Sequence, residues 1–90
     1  MSALLWIDEE NDEAIDLGNP LTLYKSLAEL GRLDPDGFVA IHSLPDLVEQ
    51  DVDDGTLGAL REEAGEALKR FGSKLSDHTK WVLKQLGEER

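Results

Sequence analysis

Apolar side chains at helical spacing fill the C-terminal third of the chain, and this pattern constrains the fold more than any other feature. Between 56 and 71 they recur every three or four residues, at Leu57, Leu60, Ala64, Leu68 and Phe71. That spacing places them on one face of an α-helix. A second stripe follows at Leu75, Thr79, Val82 and Leu86. With Ser76 as an N-cap, the sequence predicts helices over 56–71 and 76–86 that pack as an antiparallel hairpin.

A third helix is predicted over 20–30, because Asn19 is a favourable N-cap and Pro20 suits the first helical turn. Leu23, Leu27 and Leu30 define its buried face. Three further apolar side chains are expected beside that face, namely Leu21, Tyr24 and Ala28. Four polar residues are expected to face the solvent, namely Thr22, Lys25, Ser26 and Glu29. These features predict that 20–30 is the central helix of the fold.

Three glycines follow apolar helical turns and are candidate helix ends. They are Gly31, Gly72 and Gly87. Glycine adopts positive φ without a steric penalty from a Cβ atom. Each glycine therefore predicts a left-handed residue that stops the helix before it.

The segment between 32 and 55 admits two interpretations. Asp-Pro-Asp at 34–36 has the residues of a helix start, and apolar residues follow it at intervals of three, which favours a short helix over 35–43. The alternative is a strand over 38–42 that pairs with residues 3–7 in a two-stranded ribbon. Ser43 has the spacing of a capping box and predicts another short helix to about Gln50.

The length of the chain predicts one domain over 1–90. Ninety residues support one small hydrophobic core, and no linker rich in proline, glycine or serine divides them. The predicted fold class is mostly α, with four to six short helices that end in the helical hairpin. An α+β fold with the ribbon of 3–7 and 38–42 is the alternative. Cysteine is absent, which excludes disulfides and thiolate zinc sites and favours the cytoplasm.

Acidic residues are concentrated in the first part of the chain. The 90 residues carry a net charge of −11, and residues 1–55 hold 14 acidic and two basic side chains. A polyanion gains little by displacing counterions from nucleic acid or anionic lipid, so we expect neither as a partner. No segment has the length and polarity of a signal peptide or of a membrane span. The charge therefore favours a protein partner, and a basic one in particular.

The acidic segment that begins at Asp51 invites comparison with an EF-hand calcium loop. With Asp51 at position 1, Glu62 falls correctly at position 12, but Gly55 falls at position 5 where the motif needs glycine at 6. Because no register supplies a full ligand set, we predict no metal site. Acidic residues before a helix N-terminus are stabilising without a metal, so the segment is interpreted as a solvated loop.

No group of residues predicts catalysis. His42 and His78 are the only histidines, and neither has partners at the spacing of a metal site or a catalytic triad. The glycines are scattered singly and match no phosphate-binding loop. We therefore predict no enzymatic activity, no cofactor and no catalytic residue.

The lengths of the predicted helices 20–30 and 35–43 suit a DNA-binding helix-turn-helix. The second of these helices would enter the major groove, yet 36–43 contains no arginine, lysine, asparagine or glutamine. Its first residue is acidic and would face phosphates. A DNA-binding regulator is therefore the disfavoured hypothesis.

Trp81 is the most informative single residue in the hairpin. On a helix it lies about 140° from the apolar stripe, since successive residues turn by about 100°. We expect it to be buried against residues 3–7 together with Trp6. The alternative is an exposed side chain that anchors a partner.

The leading functional prediction is a non-enzymatic interaction or regulatory module whose acidic N-terminal portion meets a protein partner or a second copy of the chain. The alternative is an inhibitor or immunity-type protein whose carboxylates imitate the phosphates of nucleic acid. The residues predicted to bind the partner are Asp46, Glu49, Asp51, Asp53, Asp54 and Trp81.

Overall fold

The structure, a computed structural model, describes residues 3–8, 10–48 and 50–87. In chain order these residues form β1 (Leu4–Asp8), β2 (Glu13–Asp16), α1 (Pro20–Leu33), α2 (Val39–His42), α3 (Leu44–Leu47), α4 (Asp54–Phe71) and α5 (Asp77–Gly87). Their buried apolar side chains form one hydrophobic cluster. Five helices and a small two-stranded sheet within the described ranges confirm the predicted, mostly helical class.

The two strands form an antiparallel hairpin. Leu4 lies opposite Asp16 and Asp8 opposite Glu13, with a β-bulge between Trp6 and Asp8. In the turn, the Asp8 carboxylate accepts hydrogen bonds from the backbone N–H (3.3 Å) and the side-chain amide (2.6 Å) of Asn11. Asp12 adopts φ 55°, a region that aspartate tolerates better than most residues. The turn therefore fixes the pairing of two strands that are neighbours in sequence.

The alternative pairing of 3–7 with 38–42 is wrong. The first of these segments does form a strand, but its partner is β2, and Val39–His42 is the helix α2. Closing a short turn costs less conformational entropy than closing the loop of about 30 residues that the other pairing needs. The favoured prediction of a helix in this region is confirmed, with a later start.

Helix α1 begins where it was predicted and continues beyond its predicted end. The Asn19 side chain accepts from the backbone N–H of Leu21 at 2.8 Å, and Pro20 occupies the first turn. Gly31 lies inside the helix, which ends when the backbone N–H of Asp34 donates to the Leu30 carbonyl at 2.9 Å. Because this bond satisfies the carbonyl, the end of α1 needs no left-handed glycine.

At Gly72 the predicted helix end is confirmed, since α4 ends at Phe71, but the left-handed conformation predicted there and at Gly87 is wrong. Gly72 has φ −50° and leads into a 3₁₀ turn, Gly72–Lys74. Gly87 is the last described residue of α5. Among the described glycines only Gly18 has a positive φ, of 78°. Gly18 lies in the connection between β2 and α1, where the chain must turn.

The burial of α1 differs from the predicted pattern on both flanks. Leu23, Leu27 and Leu30 are buried as predicted, but Ser26 is also buried, and its hydroxyl donates to the Thr22 carbonyl at 3.0 Å. Leu21 and Tyr24, expected beside the core, are 70% and 52% exposed. The buried face of α1 is therefore shifted toward Ser26 and Glu29, and Glu29 forms hydrogen bonds to a neighbouring element.

Glu29 supplies those hydrogen bonds between α1 and the start of α5. Its carboxylate accepts from the backbone N–H of Ser76 at 3.2 and 3.4 Å and from the Ser76 hydroxyl at 2.9 and 3.0 Å. The first N–H groups of a helix lack partners within it. A residue predicted to face solvent is therefore a cap that joins two helices.

Helix α2 is capped in the same manner from α4. The Glu63 carboxylate accepts from the backbone N–H groups of Ala40 and Ile41, each at 3.1 Å. Phe38, just before α2, adopts φ 58°, which prevents the helix from beginning at 35 as predicted. The Phe38 ring packs edge-on against the Phe71 ring, with 6.1 Å between the ring centroids. The following helix α3 is also shorter than predicted and ends at Leu47.

Helices α4 and α5 form the predicted antiparallel hairpin. The Asp53 side chain caps α4, and Phe71 ends it. A Cβ atom at Gly87 would lie 4.0 Å from that of Ala64, so α5 runs back along α4 toward its middle. Thr79, Val82 and Leu86 are buried as the stripe predicted. In the described part of the chain, no helix is both long and apolar enough to span a bilayer.

Candidate functional site

One isolated bridge joins the hairpin to the loop before α4. Trp6 in β1 pairs in parallel with Asp51, and the backbone N–H of Val52 donates to the Trp6 carbonyl at 2.9 Å. Beyond a parallel bridge the two segments run in the same direction. Asp8 and Asp53 each lie two residues past it, so the acidic turn of the hairpin and the acidic loop extend from the bridge toward the same end of the molecule.

We call this region the acidic end and define it by seven carboxylates. Four come from the hairpin and three from the loop: Asp8, Glu10, Asp12, Glu13, Asp51, Asp53 and Asp54. All are exposed except Asp8, which is partly buried and holds the turn through Asn11. The fold thus concentrates negative charge from segments that lie about 40 residues apart in the chain.

The Asp53 carboxylate has a structural role within the acidic end. It accepts a hydrogen bond from the backbone N–H of Thr56 at 2.6 Å. Hydrogen bonding from Thr56 lowers the pKa of Asp53 below its usual 3.8, because the bond favours the charged form. Asp54 occupies the first turn of α4, where the helix dipole favours an acidic residue. Asp51 and Asp54 face the solvent.

The other predicted partner residues are distributed as follows. Asp46 is exposed in the first turn of α3, and its backbone carbonyl accepts from the Gln50 side chain at 2.6 Å. Glu49 lies outside the described residues. The hairpin acids were absent from the predicted set, although the run of acids at 8–13 is visible in the sequence. Their proximity to Asp51 depends on the bridge at Trp6, which no local pattern indicates.

Trp81 does not belong to the acidic end. A Cβ atom at Gly18 would lie 3.2 and 3.5 Å from two atoms of the Trp81 ring, so the indole covers the backbone just before α1. The Gly18 carbonyl accepts from the N–H of Ala3, so Gly18 lies at the open end of the β-hairpin. Trp81 therefore lies at the opposite end of the β-hairpin from the acidic turn. The expected burial against 3–7 is wrong, because Trp81 is 43% exposed.

The histidines are separated and differently placed. His42 packs beside Gly31 of α1, and its buried Nε2 has no hydrogen-bond partner among the described residues. His78 lies near Glu29. Across 3–8, 10–48 and 50–87, no three histidine or acidic side chains are arranged to hold a metal ion.

Glu29 is electrostatically distinct from the carboxylates of the acidic end. Burial alone would raise the pKa of Glu29, but hydrogen bonding from Thr79 and Ser76, together with nearby His78, lowers it below the usual 4.5. Glu29 thus remains charged while partly buried. It stabilises the fold and is not presented to a partner.

Comparison of the chain with protein-family models, with curated proteins and with solved structures finds no match. The arrangement of its own residues is therefore the basis for a function. The acidic end offers dense, exposed carboxylates whose positions are fixed by a hairpin turn and a helix N-terminus. Such a surface attracts cationic groups and accepts hydrogen bonds from them.

Proposed function

We propose that this chain is a non-enzymatic interaction module whose acidic end binds a basic surface of a protein partner. The observation that carries the proposal is the Trp6–Asp51 bridge. It brings two acidic segments to one end of the molecule, whereas residues 56–90 hold six acidic and seven basic side chains. A one-sided charge distribution orients a partner during encounter and raises the rate of association.

The positions of the exposed carboxylates also favour binding over mere solubility. A device for solubility works when charges are spread over the surface, but here like charges are crowded against their mutual repulsion. Pairing with arginine or lysine from a partner relieves that repulsion. Screening by salt weakens such contacts, since the Debye length is about 8 Å at physiological ionic strength.

The test compares two triple variants with the same net charge. The first neutralises the acidic end by Asp12→Asn, Asp51→Asn and Asp54→Asn. The second neutralises exposed acids elsewhere by Asp36→Asn, Glu62→Gln and Glu66→Gln. Partners are captured from an extract of the source cells at low and high salt and then purified. Each partner is titrated against the original chain and both triple variants.

The proposal expects the acidic-end variant to lose binding by about tenfold or more, while the control variant stays within about twofold of the original chain. Equal affinities for both variants would reject the acidic end as the binding surface. Sedimentation velocity over a concentration series tests whether the partner is a second copy of the chain. Salt-sensitive self-association that disappears in the acidic-end variant identifies the partner as this same chain.

A second candidate is mimicry of nucleic-acid phosphates. It is favoured by the density of exposed carboxylates that two chain segments bring to the acidic end. In that case a short DNA duplex displaces the chain from its captured partner. A partner that has no affinity for nucleic acid would contradict mimicry, but it would remain compatible with the proposed interaction module.

A further inference from the structure

A groove runs between α4 and α5, on a part of the helical hairpin that the proposed function does not use. Its volume is about 470 Å³, and its lining residues are Arg61, Gly65, Leu68, Lys84, Gln85 and Gly87. This volume lies within the range of small-molecule sites in proteins, about 300 to 1,000 Å³. The groove is therefore large enough to hold a small organic ligand.

The groove is cationic in a chain with strong negative charge. Arg61 and Lys84 line it, and none of its lining residues is acidic. Elsewhere in the described residues, Arg70 pairs with Asp34 at 3.2 Å and Lys80 with Asp77 at 3.7 Å. Within the same ranges, neither Arg61 nor Lys84 forms an ion pair. The two positive charges are thus available to an anion.

One donor of the Arg61 side chain also lacks a hydrogen-bond acceptor among the described residues. This donor is the Nε atom, which is buried. A buried donor that has lost water and gained no acceptor is unfavourable. A carboxylate matches the donor geometry of a guanidinium and accepts two of its hydrogen bonds. An anion in the groove would supply acceptors that the chain itself does not.

Gly65 keeps the groove open. It lies four residues after Arg61 and three before Leu68, which places all three on one face of α4. Glycine inside a helix is unfavourable relative to alanine, and Gly65 has no positive φ to require it. Apart from its chain neighbours and the adjacent backbone of α4, no described atom lies within 4 Å of the position of its missing Cβ. A side chain at 65 would extend into this space.

We propose that the α4–α5 groove binds a small organic carboxylate with a short apolar body. The carboxylate accepts from Arg61 and Lys84, and the apolar body packs against Leu68. A single negative charge is the best match, because the ligand must also cover an apolar side chain. The site lies on α4 and α5 alone and does not depend on the acidic end.

The probe is sodium butanoate, titrated into the full ¹⁵N-labelled chain at constant ionic strength and followed by heteronuclear NMR. Butanamide, which has the same apolar body without the charge, is the matched neutral probe. We expect saturable shifts at residues of α4 and α5 around the groove with butanoate and none with butanamide. Absence of saturation, or equal shifts with both probes, would overturn the proposal.

Four variants locate the site. Arg61→Gln and Lys84→Gln are each expected to weaken butanoate binding, by about tenfold for Arg61. Gly65→Leu fills the groove and should abolish binding. Gly58→Leu is its matched control, because Gly58 lies in the same helix, also with nothing near its missing Cβ, and outside the groove. Binding that survives Gly65→Leu would place the ligand elsewhere and contradict the proposal.

Two other occupants of the groove are outcomes of the same experiment. Glu88 and Glu89 follow Gly87 in the sequence, so the double variant Glu88→Gln, Glu89→Gln is titrated in parallel. Butanoate that binds this variant and not the original chain would overturn the proposal in favour of the chain's own carboxylates. Sedimentation velocity in the absence of butanoate tests whether a second copy of the chain occupies the groove. Self-association that Arg61→Gln removes would likewise overturn a site for a free ligand.

Discussion

The partly buried carboxylates of the helical body and the solvent-facing carboxylates of the acidic end have the same chemistry and different roles. Glu29 and Glu63 are partly buried, and each accepts hydrogen bonds from the start of another helix. Asp12, Asp51 and Asp54 face the solvent at one end of the hairpin. The first group holds helices together, and the second stays available for a partner. Net charge alone therefore says little about what an acidic residue does.

The difference arises from the donors that surround each group. A helix start presents N–H groups that have no partner within the helix, and a partly buried carboxylate that meets them replaces its lost water. Asp12, Asp51 and Asp54 remain in contact with water, so removal of one of these charges removes little stabilisation. The predictions that follow test this contrast, beginning with the largest expected effect.

Glu29→Ala should reduce the free energy of unfolding by about 2 to 3 kcal/mol, because it leaves the Ser76 N–H and hydroxyl without their charged acceptor. Urea denaturation followed by circular dichroism measures the change. Glu66→Ala is the matched control, since Glu66 is an exposed glutamate in a helix. Equal losses for both variants would show that Glu29 is no more structural than a surface acid.

Glu63→Ala should cost less, about 1 to 2 kcal/mol, because α2 is a single turn and the freed N–H groups of Ala40 and Ile41 can regain water. Hydrogen exchange should accelerate at these two amides more than in α4 or α5. A uniform acceleration throughout the chain would indicate global destabilisation and contradict a local cap.

Acidification should weaken the helical body through Glu29. The folded state lowers the pKa of Glu29 below 4.5, so the unfolded state binds the proton more readily. The stabilisation is therefore fully present above about pH 4.5 and is lost as the pH falls through the lower, folded-state pKa. Urea midpoints measured from pH 7 to pH 3 should fall less steeply in Glu29→Gln than in the original chain. Identical slopes would rule out Glu29 as a source of the acid sensitivity.

The smallest effect is expected at the acidic end. Asp51→Asn combined with Asp54→Asn should change the free energy of unfolding by no more than about 0.5 kcal/mol, as is usual for exposed positions. The same urea measurement applies. A loss as large as that of Glu29→Ala would mean that these carboxylates hold the fold, and the contrast between the two regions would fail.

Much of the helical architecture could be predicted from residues that act locally. The stripe from Leu57 to Phe71 and the cap at Asn19 depend on neighbours within one or two turns, and these helices are present. The second strand was missed because its pairing depends on the turn at Asp8 and Asn11, where no asparagine-glycine or similar signal occurs. The left-handed glycines are absent because ordinary backbone hydrogen bonds complete the ends of α1 and α4.

The candidate site was predictable only in part, for a related reason. Asp51, Asp53 and Asp54 stand out as a run of acids, but their union with the hairpin requires the bridge at Trp6. The caps at Glu29 and Glu63 join residues 47 and about 22 positions apart. Periodicity cannot indicate which polar residue of a helix meets another helix end, so Glu29 was assigned to solvent.

The two tryptophans give the molecule a pair of built-in optical reporters. Trp6 adjoins the acidic end through its bridge to Asp51, whereas the half-exposed ring of Trp81 covers Gly18 at the far end of the hairpin. In Trp81→Phe, fluorescence comes from Trp6 alone and responds to events near Asp51. In Trp6→Phe, the remaining emission follows α5. Occupancy at either end can thus be followed separately in solution, without any added label.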